Sequence, residues 1–295
     1  MRIAETLRAL TVYLERHGIE HPSTDAEWLL SFVLHCKRLE LFLTPDKVLT
    51  AEQTERLRAL SVRRARREPL QYIVGAVDFF GQKLTVDKRV LIPRHETEEL
   101  VYQVRQYLEE KVFKAPSGSP DSAHGEQKSL AILDLGTGSG AIAIALASLF
   151  PNVKLTAVDR SVEALAVAEE NSVKNNVRER ISFVQSDWFE NVEGKFDVII
   201  SNPPYVSEEE YRSLQLEVRC FEPKCALTAG DEGLADLKHI LSKAPEYLKR
   251  GGLLVMETGC TQHTALHAYA KALGYVKTQS TLDLSHRERY FWAWV

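Results

Sequence analysis

AILDLGTGSG, residues 131–140, decides the fold, together with the apolar run that follows from Ala141. One apolar run enters a glycine-rich turn and a second one leaves it. This order predicts a β-strand, a tight turn and a helix, with glycine where the backbone must approach a ligand. We therefore expect a ligand site at the turn, formed by its five residues, Gly136, Thr137, Gly138, Ser139 and Gly140.

Outward from this turn, apolar strands alternate with amphipathic helices, which is typical of a parallel sheet covered on both faces. The sequence predicts a doubly wound α/β sheet of seven strands. The last two strands are joined by a short turn, so the final strand should run antiparallel. The strands are predicted at 131–135, 154–159, 181–185, 196–201, 252–257, 275–283 and 289–295, and helices begin near Ala141, Val162 and Leu234.

Residues 1–75 have a different pattern, with apolar residues at three- and four-residue steps that predict a small all-helical domain. Pro22 and Ser23 begin its second helix. Thr50 and Gln53 have the spacing of a capping box for a third helix, which should run towards Arg67.

Residues 76–92 alternate apolar and polar side chains around Gly81, which predicts a β-hairpin linker. The α/β domain should then comprise residues 93–295. It opens with a helix predicted from Thr97 to Val112, with Glu98 and Glu99 in the first turn.

The composition excludes several classes of protein. The chain has 295 residues, 44% of them hydrophobic, and a formal net charge of −4, so it can bury a core and carries no global positive field for DNA or an anionic membrane. Its four cysteines form no C-x-x-C pair, and its nine histidines show no metal-ligand spacing, so we expect neither a disulfide framework nor a metal. No signal peptide or transmembrane run is visible, which predicts a cytoplasmic location.

The glycine spacing indicates the type of cofactor. Gly136, Gly138 and Gly140 give G-x-G-x-G, whereas the dinucleotide fingerprint is G-x-G-x-x-G. S-adenosylmethionine, which has an adenosine but no pyrophosphate, fits this turn better than a nicotinamide cofactor. A nicotinamide cofactor and a glycine turn without a ligand remain the alternatives.

An acidic residue ends the second predicted strand, and another follows the third. Asp159 can accept both ribose hydroxyls of an adenosine, and Asp187 can accept the adenine amino group while Trp188 packs on the ring. Taken singly, Asp159 is equally compatible with a surface acid and Trp188 with the core.

Asn202-Pro203-Pro204-Tyr205 follows the fourth strand and is the most informative tetrapeptide of the chain. Two prolines hold the backbone extended. The Asn202 side-chain oxygen and the Pro203 carbonyl can then accept both hydrogens of one planar NH2 group, and Tyr205 can stack on the group that carries it. This grip would aim a poorly nucleophilic nitrogen at a sulfonium methyl group. A proline-rich strand terminator is the structural alternative.

Five segments closely resemble, in the same order, the peptide chain release factor glutamine methyltransferases (PrmC/HemK family). The resemblance covers nearly the whole chain. The glycine turn and the Asn-Pro-Pro-Tyr segment are shared with other methyltransferases, and the remaining segments narrow the resemblance to this family. The segments are 67–72 (REPLQY), 91–98 (LIPRHETE), 134–140 (DLGTGSG), 202–205 (NPPY) and 221–223 (FEP).

The resemblance implies a class I methyltransferase (Rossmann-like) sheet that transfers a methyl group from S-adenosylmethionine to the side-chain amide nitrogen, N5, of the glutamine in the Gly-Gly-Gln loop of release factors. S-adenosylhomocysteine would be the other product. The helical domain would dock the release factor, and we expect a monomer with no direct nucleic-acid partner. The implied cofactor residues are Gly136 to Gly140, Asp159, Asp187, Trp188 and Asn202, and the implied catalytic residues are Asn202, Pro203, Pro204 and Tyr205.

Two features depart from the family pattern. The family usually reads Pro-Arg-Pro where this chain has Pro93-Arg94-His95, and we assign His95 no catalytic role. The polar segment 114–129 resembles an insertion without function.

Other functions are compatible with some of these features. The same Asn-Pro-Pro-Tyr grip serves an exocyclic amine, so a DNA adenine or rRNA guanine N-methyltransferase is the nearest rival. A nicotinamide dehydrogenase and a non-catalytic binding module share the fold class. An arginine cluster, Arg63, Arg64, Arg66 and Arg67, would contact an acidic partner or RNA, or form a helix face paired with its own carboxylates.

Overall fold

The computed structural model describes residues 1–110 and 130–295. Two sequence predictions, the end of a helix at Val112 and the polar segment 114–129, lie outside these described residues.

The described chain forms two compact units. The first comprises residues 1–76 and 215–221, and the second comprises residues 77–214 and 222–295. The chain therefore returns to the first unit for seven residues, between two segments of the second.

The N-terminal part of the first unit is helical, as the periodicity predicts. The Thr50–Gln53 capping box is present, with the Gln53 N–H donating to the Thr50 hydroxyl. The helix that it opens ends at Ala65, earlier than predicted, because Arg67 adopts a left-handed backbone conformation with φ of 70°. The five helices are α1 (Ile3–Arg16), α2 (Pro22–Leu34), α3 (Arg38–Leu43), α4 (Ala51–Ala65) and α5 (Leu70–Val74).

Arginines of the cluster at 63–67 pair with carboxylates of the same unit. Arg64 is buried, and its guanidinium donates to Asp25 at 2.6 Å and to Glu217 at 3.1 Å. Because a buried charge is tolerated only when it is paired, these contacts make Arg64 part of the core of the unit. The ion pairs of the cluster are Arg63–Glu68, Arg64–Asp25, Arg64–Glu217 and Arg67–Glu217.

The second unit contains the predicted alternation of strands and helices. A two-stranded hairpin precedes a seven-stranded sheet. The elements are β1 (Ala76–Phe79), β2 (Gln82–Thr85), α6 (His95–Leu108), β3 (Leu130–Leu135), α7 (Ala141–Leu149), β4 (Val153–Asp159), α8 (Val162–Lys174), β5 (Ile181–Gln185), β6 (Phe196–Ser201), α9 (Glu208–Ser213), α10 (Leu216–Phe221, in the first unit), α11 (Ala235–Tyr247), β7 (Leu248–Glu257), α12 (His263–Ala272), β8 (Lys277–Leu282) and β9 (Glu288–Trp294).

Several elements have boundaries that differ from the prediction; β7, for example, begins at Leu248 instead of residue 252. The hairpin strands end at Thr85 instead of reaching residue 92, because the Asp87 carboxylate accepts the Arg89 N–H and closes a turn. Helix α6 begins at His95 instead of Thr97, directly after the extended N-cap residue Arg94.

The seven-stranded sheet has the order β5-β4-β3-β6-β7-β9-β8. Strands β3 to β7 are parallel, and β9 runs antiparallel to both β7 and β8, which confirms the predicted fold class. The chain turns to opposite sides of β3 to form β4 and β6, so the topological switch point lies beside β3, where ligands bind in such sheets.

The strand register brings the carboxyl ends of β3, β4 and β6 together. Leu135 is paired with Val158 on one side and with Ser201 on the other. Each of these strands is buried on both faces; Ile132, for example, belongs to one apolar core and Leu133 to the other. The residues that follow the three strands therefore lie at one edge of a rigid sheet.

Candidate active site

The glycine turn between β3 and α7 is built by backbone geometry. Gly136, Gly138 and Gly140 have φ values of 71°, 55° and 82°, a region that other residues rarely adopt. A Cβ on Gly140 would lie 3.0 Å from the Ile144 side chain and 3.1 Å from Ala168, so this glycine also allows α7 to pack closely. A Cβ on Gly138 would have no neighbour within 4 Å, so this glycine faces open space.

Asp159, at the end of β4, is tied to the glycine turn. Its carboxylate accepts the N–H of Gly138 at 2.9 Å and the N–H of Ser161 at 3.0 Å. Burial raises the pKa of Asp159, and the two backbone N–H donors oppose that rise. The carboxylate keeps further lone pairs that can accept hydroxyl groups of a ligand.

Asp134 is a fully buried acid beneath the turn. Its Oδ2 atom accepts the Thr137 hydroxyl at 2.6 Å. Burial raises the pKa of Asp134 to about 7, against the hydrogen bond from Thr137, and the nearby charge of Asp159 adds to the rise.

A cavity opens beside the turn at the switch point of the sheet. Trp188 follows β5, and its ring packs against Gly136. A Cβ on Gly136 would lie 3.7 Å from the indole. Trp188 has a φ of 47°. Burial raises the pKa of Asp236, and a hydrogen bond from Trp188 opposes that rise. A carboxylate, an indole face and an open glycine backbone suit the hydroxyls and the planar ring of an adenosine.

Asn202 follows β6 and lines the same cavity. Its Nδ2 group donates to the Thr97 hydroxyl at 3.0 Å, and that hydroxyl donates to Glu257 Oε2 at 2.8 Å. The Tyr205 hydroxyl donates to the other oxygen of Glu257 at 2.9 Å. One buried carboxylate at the end of β7 thus holds both ends of the Asn-Pro-Pro-Tyr segment.

Burial sets the protonation of this network. It raises the pKa of Tyr205 well above its ordinary value, and the charge of Glu257 acts in the same direction, so the phenol stays protonated and donates. Burial also raises the pKa of Glu257, while the two hydroxyl donors and the positive charge of Arg289 favour its ionised form.

The backbone of the segment is held as well. The Gln262 side chain donates to the Tyr205 carbonyl at 2.9 Å and accepts the N–H of Gly259 at 2.8 Å. A Cβ on Gly233 would lie 2.2 Å from that same carbonyl, so only glycine fits there.

Glu222, in the Phe-Glu-Pro segment, holds the Pro-Arg segment. Its buried carboxylate accepts the Ile92 N–H at 3.0 Å and pairs with the Arg94 guanidinium. The sequence indicated no chemical role for Glu222. The structure shows that it ties the Phe-Glu-Pro segment to the Pro-Arg segment. His95, in contrast, is 95% exposed in its side chain, and its Nδ1 atom lies 3.0 Å from the carboxylate of Glu98, one turn further along the helix.

The structure brings together seven of the twelve predicted site residues as lining of one cavity. The other five are not among its lining residues: Thr137 and Ser139 are buried, Gly140 caps α7, Pro203 is buried and Tyr205 donates its hydroxyl to Glu257. The seven lining residues are Gly136, Gly138, Asp159, Asp187, Trp188, Asn202 and Pro204.

Sequence reasoning missed the residues that support Asn202. Thr97 and Glu257 lie 105 and 55 positions from Asn202 in opposite directions along the chain, and each is fully consistent with an ordinary helix start or strand end. One signal was available: Glu257 ends an apolar strand, as Asp159 does. Asp236 and Gln262 carry no comparable signal.

Three properties concern the described ranges 1–110 and 130–295 as a whole. No group of three or more His, Cys, Asp or Glu residues there is arranged to hold a metal ion. No helix within these ranges is long and apolar enough to cross a membrane. The four cysteines are free.

Family models match both parts of the chain. One described as "PrmC N-terminal domain" matches residues 5–75, and one described as "Methyltransferase small domain" matches residues 123–221. Structural similarity to solved proteins supports the fold: a methyltransferase from Pyrococcus furiosus has a TM-score of 0.50 at 18% identity and is covered over 98% of its length, with 83% of this chain. The hMettl16 catalytic domain, solved in complex with an RNA hairpin, has a TM-score of 0.55 at 16% identity, with 83% of this chain and 82% of that chain covered.

Curated relatives give a finer assignment. The chain is 39% identical to the release factor glutamine methyltransferase of Geobacter sulfurreducens, over 85% of this chain and 81% of the relative. It is 37% identical to that of Rhodopirellula baltica, over 97% and 94%. It is also 35% identical to the bifunctional methyltransferase of Rickettsia bellii over 94% of this chain, but spans only 52% of that longer relative.

The doubly wound sheet and the family matches define the chain as a methyltransferase. Within that class, it belongs to the release factor glutamine methyltransferase family, which confirms the resemblance seen in the sequence.

Proposed function

We propose that this protein methylates the side-chain amide nitrogen, N5, of the glutamine in the Gly-Gly-Gln loop of peptide chain release factors, with S-adenosylmethionine as methyl donor. The observation that carries the proposal is the position of Asn202. It lines the same cavity as Gly136, Gly138 and Asp159, so an amide gripped by Asn202 and a cofactor held by the turn would meet at one edge of the sheet.

The cofactor residues follow from the lining of the cavity. The backbone of the glycine turn would approach the methionine part of the cofactor, Asp159 would accept the ribose hydroxyls, and Asp187 and Trp188 would hold the adenine. When bound, S-adenosylmethionine supplies an electrophilic methyl group on a sulfonium. Thr137, Ser139 and Gly140 would act by shaping the turn.

The chain's own residues would position the amide. An amide nitrogen is a poor nucleophile because its lone pair is delocalised, so its orientation decides the rate. Asn202 Oδ1 and the Pro203 carbonyl would accept the two N–H hydrogens, Pro204 would keep the segment extended, and Tyr205 would pack against the amide plane. The amide nitrogen that gains the methyl group would lose one of its two protons to solvent.

We also propose a division of roles between the parts of the chain, with boundaries at residues 75 and 92. We assign release-factor docking to residues 1–75 and the chemistry to residues 93–295, joined by the linker 76–92. A monomeric, cytoplasmic enzyme without a nucleic-acid partner is part of the same proposal, and the ion pairs of the arginine cluster support a structural role for those arginines.

A labelled-methyl transfer assay tests the substrate. Purified bacterial release factor, the same factor with its loop glutamine replaced, total DNA and ribosomes are offered side by side. Label on the native factor alone is the expected result. Label on DNA or ribosomes would favour the rival exocyclic-amine methyltransferase, and label on the glutamine-replaced factor would move the target to another residue.

A thermal-shift comparison tests the cofactor separately. S-adenosylmethionine should raise the melting temperature because it binds only the folded protein, and NAD should not. A shift with NAD alone would reject the methyl-donor assignment.

A further inference from the structure

Thr97 and Glu257 form a hydrogen-bond chain that ends on Asn202. Thr97 lies in the first turn of α6 and is 4% exposed, and Glu257 ends β7 and is 1% exposed. Neither side chain lines the cavity. They contact the site through Asn202 and Tyr205, at 3.0 Å and 2.9 Å.

The chain has a defined direction. Each oxygen of Glu257 accepts from a hydroxyl, Oε2 from Thr97 at 2.8 Å and Oε1 from Tyr205 at 2.9 Å, so the single hydroxyl hydrogen of Thr97 is committed to Glu257. The Thr97 oxygen can then only accept from Asn202. The group that faces Thr97 must therefore be the Nδ2 amide and not the Oδ1 carbonyl.

This direction matters because the two ends of an asparagine amide have nearly the same shape. Without Thr97, the amide can rotate by a half turn and present either end. Only one orientation offers an acceptor, Oδ1, to an N–H group in the cavity. The opposite orientation would present two donors to a substrate that also donates.

We infer that Thr97 and Glu257 are positioning residues that fix the orientation of the Asn202 amide, so that its oxygen faces the substrate nitrogen. This inference rests on the proposed function, in which the substrate presents an NH2 group. Glu257 acts on both ends of the segment, because the same carboxylate also fixes the Tyr205 hydroxyl.

Two substitutions of Thr97 separate orientation from packing. Thr97→Val keeps the shape and removes the hydroxyl, whereas Thr97→Ser keeps the hydroxyl. Thr278→Val is the matched control. Thr278 lies on the edge strand β8, and the substitution removes a hydroxyl that is hydrogen-bonded to His267.

The first measurement uses no substrate. The side-chain amide signal of Asn202 is assigned in a proton–nitrogen NMR spectrum as the pair lost in Asn202→Asp. In the wild type and in Thr97→Ser, one of its two protons should exchange slowly with water, since it is bonded to a buried hydroxyl. In Thr97→Val that protection should be lost. Unchanged protection in Thr97→Val would overturn the orientation.

The second measurement is steady-state methyl transfer to the release factor, with cofactor affinity from calorimetry. Thr97→Val should lower kcat about tenfold, the size of one hydrogen bond of about 1.4 kcal/mol, while the dissociation constant of S-adenosylmethionine stays within about twofold. Thr97→Ser should restore most of the lost kcat, and Thr278→Val should leave kcat unchanged.

The outcomes separate this inference from the proposed function. A lower kcat that Thr97→Ser does not restore, or that comes with an equal loss of cofactor affinity, indicates a general structural role and overturns the inference. Wild-type protein that protects the Asn202 proton yet transfers no methyl group to the release factor would reject the proposed substrate and leave the orientation standing.

Discussion

The two sides of the candidate site are held by different means. On the glycine-turn side, the backbone fixes the geometry. Gly136 and Gly138 have positive φ, and the Asp159 carboxylate accepts the Gly138 N–H. On the Asn-Pro-Pro-Tyr side, side chains from distant segments fix the geometry. Glu257 accepts a hydrogen bond from Tyr205 directly and is linked to Asn202 through the Thr97 hydroxyl.

The two sides differ in whether their geometry is specified by consecutive residues or by contacts between distant segments. A turn of glycines is specified by consecutive residues, because positive φ is a local property. The orientation of an amide is specified by whatever lies against it, and here that comes from α6 and β7. The two sides should therefore respond differently to substitution, the first in cofactor affinity and the second in rate.

The largest effect is expected on the Asn-Pro-Pro-Tyr side. Asn202→Ala removes the acceptor for the substrate amide, so kcat should fall by about a hundredfold or more, in the range found for other preorganised polar groups. The dissociation constant of S-adenosylmethionine, measured by calorimetry, should change by less than about threefold. Normal turnover in this variant would contradict the role of Asn202.

The second effect tests the glycine-turn side. Gly138→Ala places a methyl group in the open space of the cavity, so cofactor affinity should fall by about ten- to a hundredfold. Gly194→Ala is the matched control, because Gly194 also has positive φ, 92°, and also has no neighbour within 4 Å. Both variants should lose about 1 kcal/mol of stability from backbone strain.

The comparison fails if the two glycine variants bind the cofactor equally well, since the turn would then not approach it. It is sharpened if Gly138→Ala saturates with cofactor at high concentration and turns over normally, because that result would confine the glycine turn to binding.

A smaller effect concerns Asp134, beneath the glycine turn. Burial raises its pKa to about 7 in the folded protein, from an ordinary value of 3.8 for an aspartate in an unfolded chain, so between these values the folded state holds a proton that the unfolded state has lost. The free energy of unfolding should therefore fall as pH rises from about 4 to about 7, by up to about 1.4 kcal/mol per pH unit.

Asp134→Asn should remove this slope. Urea unfolding of both proteins at several pH values between about 5 and 7 measures it, and the difference between the two curves isolates Asp134 from the other titrating groups. Parallel curves would show that Asp134 is ionised throughout.

The smallest effect is expected at His95. Proline is favoured at the first position of a helix, where the backbone N–H has no intrahelical acceptor, and His95 begins α6. His95→Pro should raise the free energy of unfolding by about 0.5 kcal/mol, after the loss of the exposed contact with Glu98. A loss of stability in denaturant unfolding would show that the backbone at residue 95 is incompatible with proline.

Much of the fold was predictable because it depends on periodicity. Apolar runs gave the seven strands to within a few residues, and the closing hairpin gave the antiparallel β9. Short helices such as α3 and α5 were not predicted, since six and five residues are too few to show a helical period. The return of residues 215–221 to the first unit also has no local signal.

The residues of the candidate site also fall into those that the sequence predicted and those that it did not. Asp159 and Asn202 were found because Asp159 ends an apolar strand and Asn202 follows one, and the carboxyl ends of both strands lie at the switch point. Thr97, Glu257 and Glu222 were not found as functional residues, because each acts on a residue far away in the chain.

The sequence by itself determined the strand–glycine–helix turn, the Asn-Pro-Pro-Tyr segment and the family, because each depends on neighbouring residues. Tertiary structure alone decided which way the Asn202 amide faces. In that orientation Glu257 accepts the single hydroxyl hydrogen of Thr97, and the Thr97 oxygen accepts from the Asn202 amide. These groups meet only when α6 and β7 pack around the end of β6.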